Sequence, residues 1–350
     1  LRTMLTAPDN YKIALGNSFS SAAPITFRFE GVSLDFADTV WTETQQANFA
    51  MPNGYTWAIG ASTTGIQKEA NAAHSHADGT QFYKALSEDI TAADKIKTYT
   101  IPADNLYLTQ NITWTIPTGY DSYHRFTMNG ERYLCLNGHD LTLKLGTRED
   151  WRTLYSEDRA NQKLTITNCA EHPSTIYGSI DLGTSGYSWD KNKPTDRMAL
   201  ENLTVAGRID MRKVKYTGED YTTSLDHVTV TPADAFGSTV QLGAGKHIIK
   251  DCTLTYNAPA SDPTSYDYSY GALYLYDANA KVTLEGTVNI TGGFGLFGRG
   301  GTVDASKLNP DSKIVLGAGK SSIYDEYKYT ITGVTEELRS CFTLSNYAPT

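Results

Sequence analysis

Cysteine is scarce. Cys135, Cys169, Cys252 and Cys341 are the four in 350 residues, and no C-x-x-C spacing occurs. That excludes the usual zinc-ribbon and thioredoxin patterns. No run of 18 apolar residues exists, so the sequence contains no membrane-spanning helix. No signal peptide is visible, and the chain opens LRTMLTAPDN without an initiator methionine, as a processed or trimmed fragment would. Thirty lysines and arginines face 39 acidic residues, a formal net charge of −9, and no basic run overrides it locally. A phosphate backbone is therefore repelled, and nucleic acid is not an expected partner. No Ser-His-Asp or Cys-His constellation with recognisable context appears, nor a phosphate-binding loop.

What is present is a folded composition. Hydrophobic residues make up 40% and charged residues 20%, and the 29 glycines suit many short strands and turns. From about residue 160 one pattern returns: an apolar residue, a polar pair, an apolar position, then Thr alternating with Val, Leu or Ile. It reads Ile166-Thr167-Asn168-Cys169, Leu200-Glu201-Asn202-Leu203-Thr204-Val205, Leu225-Asp226-His227-Val228-Thr229-Val230, Ile249-Lys250-Asp251-Cys252-Thr253-Leu254 and Leu284-Glu285-Gly286-Thr287-Val288. A glycine and a short alternating strand follow most copies: Gly178-Ser179-Ile180-Asp181-Leu182, Gly207-Arg208-Ile209-Asp210-Met211, Gly237-Ser238-Thr239-Val240-Gln241-Leu242, Gly271-Ala272-Leu273-Tyr274-Leu275 and Gly293-Phe294-Gly295-Leu296-Phe297.

One unit cannot bury its inward side chains alone. Stacked at about 4.8 Å, successive units pair their backbones and build one apolar core. The pattern predicts an all-β fold, a right-handed parallel β-helix over residues 71–310, with 134–145 as an early coil. A β-rich N-terminal cap or small domain is expected over 1–70, and a closing segment over 311–350. One helix is expected around Gln81 to Ile90. Cys169 and Cys252 fall at the same apolar position of the repeat, three coils apart. That is too far for a disulfide, so both are predicted to be buried thiols.

His74-Ser-His76-Ala-Asp78-Gly79, then Tyr107-Leu108-Thr109, then Leu134-Cys135-Leu136-Asn137-Gly138-His139, resembles a module of large secreted surface proteins of Gram-positive bacteria. The resemblance spans roughly residues 74–300. It implies a pectin-lyase-like β-helix within a longer adhesin-like or glycan-interacting protein at the cell surface.

Stacking would bring Asp181, Asp210, Gln241 and Tyr274 into one outward column, flanked by Arg208, Arg212 and Tyr276. Tyrosine rings stack on sugar faces, and Asp and Arg bind hydroxyls or uronates, so this ridge is the expected glycan or host-surface contact. The bland alternative is a solvated, salt-bridged face. If the chain is an enzyme, Asp181 and Asp210 with Arg208 are the catalytic candidates, for a polysaccharide lyase or a glycoside hydrolase. A structural spacer of a surface protein is the remaining reading. On one strand His74, His76 and Asp78 would share a face and could hold a metal, or simply form a polar turn. The tyrosine-rich loop Tyr256 to Tyr276, with Tyr266-Asp267-Tyr268-Ser269-Tyr270, offers a further contact surface. No cofactor is expected, apart from Ca²⁺ should the chain be a lyase.

Overall fold

The computed structural model describes residues 74–90, 105–115, 131–144, 163–182, 196–212, 214–216, 218–232, 237–257, 270–317 and 328–345 in full, and the backbone of short strands elsewhere. Every described element is a strand except one short 3₁₀ helix, Glu337–Cys341. Among the described residues no helix is long and apolar enough to cross a membrane. Two compact units divide the chain: Leu1–Leu86 with Pro102–Tyr107, and Ser87–Ile101 with Leu108–Thr350.

The first unit holds a mixed sheet. Ile13–Leu15 runs parallel to Leu34–Phe36, which pairs antiparallel with Thr64–Lys68, and that strand with Tyr55–Ile59. His74–Ser75 and Gln81–Phe82 close a small antiparallel hairpin. The helix expected from Gln81 to Ile90 is not there. Gln81–Phe82, Lys84–Leu86 and Ile90–Thr91 are strands. The Tyr83 N–H donates to the Asn105 carbonyl at 3.0 Å, and the Asn105 amide donates to the Gln81 carbonyl at 2.7 Å. Pairing with a distant segment overrides a local preference that Phe82 and Leu86, spaced as on a helix face, left open.

The second unit is built on a long ladder of parallel strands, each pairing with one about a repeat further on. Leu134, Ile166, Leu200, Leu225, Ile249 and Leu284 face one another in register, strand after strand. A second row runs Ile112, Leu141, Ile176, Val205, Val230, Leu254, Ile290, Ile314, Phe342. A third runs Ile180, Ile209, Val240, Leu273, Leu296. Apart from Phe342, all are buried. Each such side chain contributes roughly 1.5–3 kcal/mol of transfer free energy, so stacking supplies the core that one unit lacks. This pairing is compatible with a β-helix or solenoid. It also continues past residue 310: Lys313–Leu316, Thr330–Thr332 and Phe342–Leu344 pair in parallel with preceding strands.

The polar pair of the repeat turns the chain. Asn202 (φ 54°), His227 (φ 54°), Asp251 (φ 50°) and Gly286 (φ 65°) take left-handed backbone at matching places. Asn, Asp and His are the non-glycine residues most often found there. At residue 286 glycine is also needed for space, since a Cβ would come within 2.1 Å of Asp251 Oδ1. Immediately before these four lie Glu201, Asp226, Lys250 and Glu285, an outward row that Lys307 extends. Lys250 Nζ reaches Asp226 Oδ2 at 2.9 Å, and Lys307 Nζ reaches Glu285 Oε1 at 2.6 Å.

One inward row carries polar groups: Thr223 pairs in register with His247, and neither is exposed. His247 Nε2 meets the Gly243 carbonyl at 3.0 Å. Burial pushes the His247 pKa down to about 4, so the ring is neutral at ordinary pH.

Candidate functional site

The column expected from the repeat is assembled. Asp181 lies opposite Asp210, Asp210 opposite Gln241, Gln241 opposite Tyr274, and Tyr274 opposite Phe297. Its exposure differs from an open ridge. Asp181 is 1% exposed, Asp210 8% and Gln241 6%, whereas Arg208, Arg212, Tyr274 and Tyr276 are half-buried. The carboxylates form a floor, and the guanidinium groups and rings form the layer nearer solvent.

That layer is tightly held. Arg212 Nη2 sits 2.9 Å from Asp210 Oδ2, and the Arg212 N–H donates to Asp210 Oδ1 at 3.0 Å. Burial alone would lower the Arg212 pKa. The charge of Asp210 and then Asp181, with Tyr276 and Tyr274 beside them, outweighs it and holds the guanidinium above its ordinary value. The Arg208 N–H donates to Ser179 Oγ at 3.1 Å. Gly237, at φ 96°, leaves space for the Arg208 guanidinium, which would lie 2.8 Å from a Cβ there. Tyr274 stacks on Phe297 with centroids 4.6 Å apart and planes 6° apart, and it meets Tyr276 edge-on at 5.8 Å. Arg299 lies over the Tyr276 ring at 5.1 Å. Arg299 joins the layer and the buried Phe297 underlies it, neither having been singled out as a site residue in the sequence. Their signal was the next copy of the repeat, Gly295-Leu296-Phe297.

The other candidates are placed as follows. His74 stacks on Tyr107 at 5.2 Å and meets His76 edge-on at 5.1 Å. Burial, then the neighbouring His76, lowers the His74 pKa. Asp78 turns back into its own loop, where Oδ1 accepts the Thr80 N–H at 2.9 Å and Oδ2 accepts the Thr80 hydroxyl at 3.0 Å. Those bonds hold its carboxyl below the usual range. Asp78 thus lies in the hairpin turn, and the strand His74–Ser75 carries only the first of the two histidines. In the tyrosine-rich loop, residues 258–269 lie outside the described residues, and the Tyr256 and Tyr270 rings are 6.3 Å apart.

Of the two cysteines predicted to be buried, Cys252 is buried and Cys169 is exposed. After Asn168 the chain bulges, and Ser174, not Cys169, lies opposite Leu203. Asn168 pins this bulge: Oδ1 accepts from the Gly138 N–H at 2.8 Å and the Ser174 hydroxyl at 3.2 Å, and Nδ2 donates to the His172 carbonyl at 2.9 Å. The bulge carries Cys169 Sγ to 3.7 Å from Cys135 Sγ. Burial, then the adjacent Cys169, pushes the Cys135 thiol up to about 12.

A cleft of about 370 Å³ went unnoticed in the sequence. Lys163, Arg197, Ala199, Asp220, Tyr221 and Ser224 are among its lining residues. Arg197 is paired with Asp220 at 2.6 Å and lies over Tyr216 at 5.1 Å. Its signal was the run Glu219-Asp220-Tyr221 beside small outward residues. Asp226, His227 and Asp251 also bring ligand atoms within 4.8 Å of one another. There, His227 Nδ1 is 2.6 Å from Asp226 Oδ1, and Lys250 already answers the Asp226 charge.

No known family model matches the chain, and no curated protein or solved structure matches it.

Proposed function

We propose that this chain is a right-handed parallel β-helix of the pectin-lyase-like kind, displayed outside the cell as part of a longer surface protein. In this reading it binds a glycan or another cell-surface ligand. The contact is the layer of Arg208, Arg212, Tyr274 and Tyr276. The observation that carries the reading is the in-register stack Asp181–Asp210–Gln241–Tyr274 with Arg212 clamped on Asp210. Enclosed carboxylates hold the guanidinium in one orientation, so little freedom is lost when a ligand docks. The rings give sugar faces a flat apolar partner, and the remaining guanidinium N–H groups suit hydroxyls or uronate carboxylates.

Enclosure and the ion pair argue against Asp181 and Asp210 as an acid–base pair. A glycosidase acid must reach its substrate, whereas both carboxylates are enclosed and the oxygens of Asp210 are already taken up by Arg212. The enzyme reading is tested directly by incubating acidic and neutral polysaccharides with and without Ca²⁺. Unsaturated products would move the assignment to a lyase, and reducing ends alone to a hydrolase.

Screening on a glycan array, followed by titration calorimetry on any hit, tests the binding reading. Tyr274→Ala and Tyr276→Ala should each weaken binding by about tenfold, as truncating a central aromatic does. An array without a hit, or affinity unchanged in the Tyr274→Ala/Tyr276→Ala protein, would overturn it.

A further inference from the structure

Cys135 and Cys169 belong to successive repeats, and two turns bring them together. Asn137 and Gly138 both take left-handed backbone, φ 50° and 80°. A Cβ on Gly138 would lie 3.1 Å from the Ala170 Cβ and 3.4 Å from His172 Nε2, so the earlier turn nests closely against the later bulge. Asn168, 3% exposed, fixes that bulge through the three hydrogen bonds described above. The sulfurs stand 3.7 Å apart as thiols, and Cys169 Sγ lies 3.6 Å from Asn137 Oδ1.

The geometry points to a soft divalent cation, zinc by donor type, held by the thiolates of Cys135 and Cys169. On a tetrahedral zinc, two bonds of about 2.3 Å set their sulfurs about 3.8 Å apart. A disulfide needs about 2.05 Å instead. Binding breaks two S–H bonds, forms two metal–sulfur bonds and releases both protons to solvent, with no change of oxidation state. Two positions remain for imidazole or water. Cys169 is exposed and gives the ion its way in, while Cys135 is enclosed and anchors it. The spacing escapes a motif search because 33 residues and a whole repeat separate the two ligands, unlike the close pairs of zinc ribbons.

The test uses the full chain, purified without chelator or reductant. Metal content is measured by elemental analysis, and Co²⁺ is then titrated into metal-stripped protein. The expected result is about one zinc per chain and a near-ultraviolet thiolate-to-cobalt charge-transfer band. Cys169→Ser, an exposed position that should not disturb folding, and Cys135→Ala should each abolish the band, while Cys252→Ala keeps it. Loss of the band in single His→Ala variants as well supports the site and names its remaining donors. Should Cys135→Ala fail to fold, zinc protection of Cys135 and Cys169 from alkylation in the unaltered chain gives the same answer. Protein without zinc that yields no cobalt band, or a Cys135–Cys169 disulfide in freshly isolated protein, would overturn the proposal.

Discussion

Two outward columns of the same parallel ladder meet opposite fates. Glu201, Asp226, Lys250, Glu285 and Lys307 keep contact with water, and Asp226 pairs with Lys250 and Glu285 with Lys307 at their tips. Asp181, Asp210 and Gln241 are enclosed, and the charge of Asp210 is met by Arg212, two residues along the same strand. An outward register position therefore does not fix exposure. In water an ion pair adds little, because solvent already satisfies both charges. When a pair is enclosed, each charge depends on its partner, and removing one strands the other.

Arg212→Ala should be the most damaging change to this contrast. It leaves the enclosed Asp210 carboxylate without the guanidinium that pairs with it and should cost about 3–5 kcal/mol in denaturant unfolding. Replacing both partners, as in Asp210→Asn with Arg212→Met, should recover most of that stability. A double variant as unstable as Arg212→Ala would show that the column does not act as a pair.

The interior supplies a third environment. His247 has a folded pKa of about 4 against an ordinary 6.5. A lowered folded pKa means that its contribution is full above pH 6.5 and is lost as pH falls towards 4, then levels off. The span corresponds to about 3 kcal/mol at 1.36 kcal/mol per pH unit. Unfolding curves across that window should show the decline, and His247→Leu should flatten it. An unchanged slope in the variant would exclude His247 as its source.

Lys250→Ala, on the exposed column, should have the smallest effect, under about 1 kcal/mol and smaller still at high salt. A loss near that of Arg212→Ala would erase the distinction between the columns.

The repeat was legible because alternation marks which side chains face inward, and Ile180, Ile209, Val240 and Leu273 sit opposite one another as that pattern requires. The corner was legible too, in hindsight: Asn202, His227, Asp251 and Gly286 share a position and a tolerance for left-handed backbone. Cys169 was misplaced because a five-residue bulge, 169–173, interrupts the period where the motif still matches. The strands after Phe82 were misread because their partners lie far along the chain, as Trp114 does from Ile90, beyond any local window. Enclosure of the Asp181 column depends on how neighbouring segments pack, which periodicity does not encode.

The second apolar row, from Ile112 to Phe342, has a mechanical consequence. Each rung is held chiefly by the rung on either side, so a pull applied along the stack would not have to break the whole core at once. Such a chain would peel in small steps, giving way over a long extension and dissipating load gradually. Single-molecule stretching would register this as a train of minor drops, and one large rupture would show that the rungs fail together.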